Sequence, residues 1–124
     1  MTTLELPYPP SVNHIYNYTR CGIFLKKEVK AYRFVVRGIV RSLRMQPVRG
    51  RLAVVIDLYP PDRRKRDLDN TLKSLLDSLT HAGVIEDDSC IDDLHVRRRE
   101  RMPPNGKVIL NIQLIPEHTR NLPQ

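Results

Sequence analysis

The chain has 124 residues, with 21 Lys and Arg against 14 Asp and Glu, a formal charge of +7 and 40% hydrophobic residues. That length predicts one small α/β (α+β) domain spanning 1–124, able to bury a modest core but without room for a second binding module. The opening MTTLELPYPPSVNHIYNYTR has no charged start followed by a long apolar run, and no stretch reaches the ~20 apolar residues of a membrane span, so a soluble, cytoplasmic chain with no membrane partner is the expectation.

Cys21 and Cys90 are too isolated for a disulfide framework, and no Cys/His spacing fits zinc, so both read as reduced thiols. The clustered positive charge favours nucleic acid as partner.

The predicted order is β-α-β-α-β-β, with a mixed sheet of about four strands and two helices. Thr3 to Leu6 forms a short strand, and Pro7, Pro9 and Pro10 end it in a rigid loop whose Tyr and Asn residues either contact nucleic acid or simply connect. From Lys26 to Arg44 the period is helical, with Leu25, Val29, Tyr32, Val36, Ile39, Val40 and Leu43 facing the core. Beside them Lys26, Lys30, Arg33, Arg37, Arg41 and Arg44 form one stripe of cations with no intervening acid, which favours phosphate contact over a self-paired solvated face.

Arg51 to Tyr59 alternates as a central strand, and Pro60-Pro61 ends it. A second helix begins near Asp69, a good N-cap type, turns Leu68, Leu72, Leu75, Leu76 and Leu79 inward, and stops at Gly83. Two final strands, Leu94 to Met102 and Lys107 to Ile115, are expected to form a hairpin through Asn105-Gly106. The first of them carries Arg97, Arg99 and Arg101 on one face, and residues 116–124 read as a flexible tail.

The segment PDRRKRDLDNTLK joins Arg63, Arg64, Lys65 and Arg66 to Asp67 and Asp69. Cations of this kind hold phosphate, and two carboxylates ~4 Å apart oppose each other by ~4 kcal/mol at an effective dielectric of ~20, a repulsion that a hard divalent cation turns into attraction. The segment therefore reads as the site of a metal-dependent nuclease. The alternative is that Asp69 caps the helix while Asp67 pairs with the arginines.

Glu86, Asp87, Asp88, Asp92 and Asp93 crowd five acids into eight residues of a basic chain, and one of them can complete the site if their loop folds back to the helix start. Lys73, one turn beyond Asp69, can neutralise charge on the reacting phosphate or else pair with Asp77.

These residues carry a resemblance. DRRKRDLDN with Lys73, Asp87-Asp88 after Ala82-Gly83, and the N-terminal PYPPSVNHIY closely resemble the RusA family of Holliday-junction resolvases over nearly the whole chain. The resemblance implies a Mg²⁺-dependent homodimeric endonuclease, with Mn²⁺ as a substitute ion, that cuts four-way branched DNA in recombination and repair and is often encoded by prophages. It places the essential carboxylates on Asp67, Asp69 and Asp88 and the essential lysine on Lys73. Where the family has a single acid after the hydrophobic pair, this chain has Asp92 beside Asp93.

The chemistry expected is direct hydrolysis by metal-activated water, with DNA contacts from Lys30, Arg33, Arg37, Arg41, Arg63, Arg64, Lys65, Arg66, Arg97 and Arg99. A restriction-type nuclease would carry an acid-x-lysine element on a strand, and a non-catalytic DNA-binding module would leave the acids unexplained. For the dimer, Ala31, Phe34, Val35 and Gly38 on the first helix offer a contact face or else pack inside the monomer.

Overall fold

The computed structural model describes residues 1–116, and the tail expected beyond them lies almost wholly outside the described residues. The elements are β1 (Thr2–Leu6), β2 (Tyr16–Thr19), β3 (Gly22–Leu25), α1 (Lys27–Ser42), β4 (Leu52–Tyr59), α2 (Leu68–His81), β5 (Ile91–Arg98) and β6 (Lys107–Leu114), with a 3₁₀ turn at Asp88–Cys90 before β5. Four strands form a mixed sheet in the order β1-β6-β4-β5, and β2 and β3 pair as a separate small hairpin. The sheet and both helices match the expected architecture.

Alternation decides what the sheet buries. Leu52, Val54, Ile56 and Leu58 of β4, Val108, Leu110 and Ile112 of β6, and Leu4 and Leu6 of β1 all enter the core. Onto this face α1 brings Val29, Tyr32, Val36 and Val40, spaced three and four residues apart, and α2 brings Leu75 and Leu79. The Tyr32 hydroxyl, deep in that core, donates to the Pro7 carbonyl at 2.7 Å, and burial pushes its pKa up.

Three expectations are corrected. The leucines of α2 all reach the core but are not the whole of its buried face: Thr71, Ser74 and Ser78 are buried beside Leu75 and Leu79, while Leu68, Leu72 and Leu76 pack against the core only partly covered. Small hydroxyl side chains permit close approach, and they are satisfied locally, Ser78 donating to the Leu75 carbonyl and Ser74 to that of Pro10 at 2.7 Å. That bond and Val12 N–H to the Asn70 carbonyl fasten the proline-rich loop along α2.

The second correction concerns β5 and β6, which do not form a hairpin. Strand β5 runs parallel to β4 on one side, and β6 runs antiparallel to β4 on the other. The connection crosses the end of β4, where Met102 N–H bonds the Pro60 carbonyl and Gly106 N–H bonds that of Met102. Gly106 has φ 68, and a Cβ there would stand 2.6 Å from the Tyr59 carbonyl oxygen, so the glycine serves a close crossing and not a two-residue turn. Thirdly, the β2–β3 hairpin occupies what sequence presents as loop; its turn, Arg20-Cys21, carries none of the usual hairpin residues.

Candidate active site

Strands β4 and β5 are parallel and joined through α2, so both carboxyl ends open on the same edge of the sheet. Two basic segments leave there, 62–66 after β4 and 98–101 after β5. Between them lies a cleft of about 1060 Å³ whose lining includes Arg63, Arg64, Lys65, Arg66, Arg98, Arg99 and Arg101, with Asp67 and Asp69 in the same wall.

The segment 62–67 is braced from within. Asp62 accepts from the Arg64 N–H at 2.9 Å and from the Arg66 guanidinium at 2.7 Å, and these bonds, Arg66 first, hold its carboxyl down at about 2. Arg66 also lies 5.6 Å from the Tyr8 ring centroid, and Arg98 donates to the Arg66 carbonyl. Burial raises the Tyr8 hydroxyl against the opposing pull of Arg66 and Arg98. Arg63, Arg64 and Lys65 remain exposed at the rim.

Helix α2 begins at Leu68, so the N-cap is Asp67 and not Asp69, and the Asp67 carboxylate makes no capping bond. Both acids are exposed, and neither forms an ion pair among the described residues. The alternative of Asp69 as cap and Asp67 as arginine partner is therefore not what the fold does: Asp62 takes the arginine, leaving Asp67 and Asp69 open to the cleft.

The polar edge of α2 continues into a second cavity of about 440 Å³, floored by Ile15, Leu72 and Leu76 and edged by His14, Tyr16, Lys73, Asp77, Asp87 and Asp88. Leu72 and Leu76 thus pack against the core on one side and open to this cavity on the other. The five crowded acids now separate. Asp87 caps the 3₁₀ turn by accepting from Ser89 N–H at 3.1 Å, and bonds from Ser89 lower its pKa. Asp92 pairs with Arg51, and Asp93 meets His95 at 3.1 Å. Asp88 lines the second cavity together with Lys73.

The structure thus gathers Asp67 with Asp69 and Asp88 with Lys73, but brings no three His, Cys, Asp or Glu side chains close enough to hold a metal among the described residues. The donor chemistry of the first pair still fits Mg²⁺, which is commonly held by one or two carboxylates with water and substrate phosphate oxygens.

The expected DNA contacts also divide. Lys30, Arg37 and Arg41 are exposed along α1, and Arg99 lines the cleft. Arg33 is bound to Asp77 through two hydrogen bonds of 2.7 and 2.8 Å, and Arg97 to Asp57 through two of 2.7 and 3.0 Å. Together with Arg66, these have carboxylate partners with which a phosphate would compete. Strand β5 ends at Arg98, so Arg99 and Arg101 leave the face expected for Arg97, and Arg98 joins the cleft instead. Sequence reasoning does not find Asp57, Asp62, Tyr8 or Arg98. The signal for Arg98 is its place at the end of a strand parallel to β4, which the expectation of a hairpin hides.

The family model described as endodeoxyribonuclease RusA matches residues 7–113. Among curated relatives, the crossover junction endodeoxyribonuclease of Enterobacteria phage HK97 is 43% identical over 99 residues, covering 79% of this chain and 82% of its own. Its namesake in Escherichia coli K12 is 37% identical over 99 residues, covering 76% and 79%, and that of Enterobacteria phage 82 is 38% identical over 98 residues, covering 75% and 78%. No described helix is long and apolar enough to cross a membrane. With a family match across most of its length and its acids set in a basic cleft, this chain belongs to the RusA endodeoxyribonuclease family.

Proposed function

We propose that this chain is a crossover junction endodeoxyribonuclease that resolves four-way DNA junctions with Mg²⁺, or Mn²⁺ in its place, acting as a homodimer in the cytoplasm. The observation that carries this reading is the pair of exposed, uncommitted carboxylates, Asp67 and Asp69, in a cleft whose charged lining is otherwise cationic except for Asp62, which Arg66 holds. Arg63, Arg64, Lys65 and Arg99 hold the phosphate backbone against them, and the bracing by Asp62 keeps the segment in place while DNA binds. Asp67 and Asp69 would hold the ion, with Asp88 from the adjoining cavity as the third acid. When bound, the ion polarises the scissile phosphate and acidifies an attacking water. Lys73, one turn along the same edge, offsets charge gathering on the phosphate or the leaving oxygen.

Dimerisation is proposed through α1. Ala31, Phe34, Val35 and Gly38 lie opposite the buried stripe and are all exposed, Phe34 at 80%, so they do not pack inside the monomer. Exposed apolar groups of this kind suit a self-complementary patch.

The test is incubation of the purified protein with a synthetic four-way junction and with a linear duplex, each with Mg²⁺ and with EDTA. Paired nicking of the junction alone, abolished by EDTA and by Lys73→Ala, is expected; equal cutting of the duplex, or activity in EDTA, overturns the reading. Phe34→Glu should yield monomers by sedimentation, and an active wild-type monomer would remove the dimer from the mechanism.

A further inference from the structure

Asp77 follows Lys73 by four residues on α2, a spacing at which a carboxylate and an ammonium meet on one helix face. Both edge the second cavity. Yet the structure commits Asp77 elsewhere: Arg33 of α1 donates to one carboxylate oxygen through Nε at 2.7 Å and to the other through a terminal nitrogen at 2.8 Å. The two side chains are only 21% and 18% exposed, and the hydrogen bonds to Asp77 raise the pKa of the guanidinium. A parallel two-bond fork of this kind outcompetes a single ammonium for the carboxylate. Lys73 is correspondingly exposed and makes no ion pair among the described residues.

We infer that Arg33 is a positioning residue for strand cleavage: by occupying both oxygens of Asp77 it prevents that carboxylate from capturing Lys73, and so keeps the Lys73 ammonium available to the reacting phosphate. Arg33 acts through Asp77 and touches no substrate. The inference rests on the proposed role of Lys73 and adds to it the reason that a lysine with an acid one turn away is not neutralised.

The proposal has a signature that neither a structural tether nor a phosphate contact shares. Arg33→Gln releases Asp77 onto Lys73, so the single-turnover nicking rate on a saturating four-way junction with Mg²⁺ should fall on the order of tenfold, as expected for a half-buried charged hydrogen bond. Junction affinity in gel shift should hold. Removing the captor as well, in Arg33→Gln/Asp77→Asn, should restore the rate although a second residue has been replaced, and Asp77→Asn alone should cut normally.

If the double variant is as slow as Arg33→Gln while both fall in melting temperature, the pair is only a brace between helices and the proposal fails. It fails equally if Arg33→Gln weakens binding and flattens its salt dependence, because Arg33 is then a phosphate contact. Lys73→Ala separates the two levels of inference: full cleavage there overturns the role of Lys73 and this proposal with it, whereas abolished cleavage beside an unaffected Arg33→Gln overturns the positioning role alone.

Discussion

Helix α1 and the segment between β4 and α2 are both basic, but they hold their charge in different ways. Along α1 the cations stand on a rigid rod, with Arg33 committed to Asp77 and Lys30, Arg37 and Arg41 projecting freely. In the segment 62–66 one arginine is turned inward, against Asp62 and Tyr8, and fixes the backbone from which Arg63, Arg64 and Lys65 extend. The first arrangement gives a broad field with little positional content. The second sets cations at fixed places beside two acids. A count of basic residues therefore overstates the positive charge free to meet a polyanion, and the useful quantity is the charge left without a carboxylate partner.

The largest effect that can break this comparison comes from the acids. Asp67→Asn or Asp69→Asn should slow junction nicking by at least about 100-fold while affinity is held or rises, since a negative charge leaves a cleft rich in cations. Retained nicking in both would show that the braced segment binds DNA without cutting it. Next in size is the field of α1. Arg37→Gln with Arg41→Gln should lower the log-log salt slope of junction binding by about 1.8, because each phosphate of B-DNA that is no longer neutralised takes about 0.9 from the slope, whereas Arg33→Gln should leave it unchanged.

A smaller effect is expected at Arg97, whose partner Asp57 is only 8% exposed. Arg97→Gln leaves that carboxylate unpaired, so the melting temperature should drop by a few degrees with the salt slope intact. Smallest is the acid response of the brace. The carboxyl of Asp62 lies at about 2, below its ordinary 3.8, so its contribution is fully present above 3.8 and is lost as pH falls toward about 2. Amide exchange at Arg64, measured across that window, should lose protection in the wild type, and Asp62→Asn should lack the protection throughout.

Much of this was legible in the sequence, because the sheet core follows from strict alternation in Leu52 to Leu58 and the α1 core from three-four spacing. The pair Asp67 and Asp69 was equally plain, being local. What escaped depends on partners distant in sequence. Nothing near Arg33 announces Asp77, 44 residues away, nor does anything near Arg97 announce Asp57, 40 residues away. The buried Thr71, Ser74 and Ser78 of α2 are hidden in the sequence because leucine outranks serine and threonine in any hydropathy reading, yet the smaller side chains allow the closer approach. Asn105-Gly106 misled in a different way: the glycine is required, but by the Tyr59 carbonyl beneath it.

The crossing at Gly106 also governs when the fold can exist. Strand β6 lies between β1 and β4 and, among the described residues, is the sole sheet partner of β1, so the first strand made waits for the last one described. Until Lys107 to Leu114 has emerged from the ribosome, Leu4 and Leu6 have no strand to lie against, and one edge of β4 stays open to pairing with other chains. Closure of so long a loop is slow relative to local helix formation. Synthesis thus passes through a chain with two helices and a β4–β5 pair whose braced basic segment can form ahead of the completed sheet.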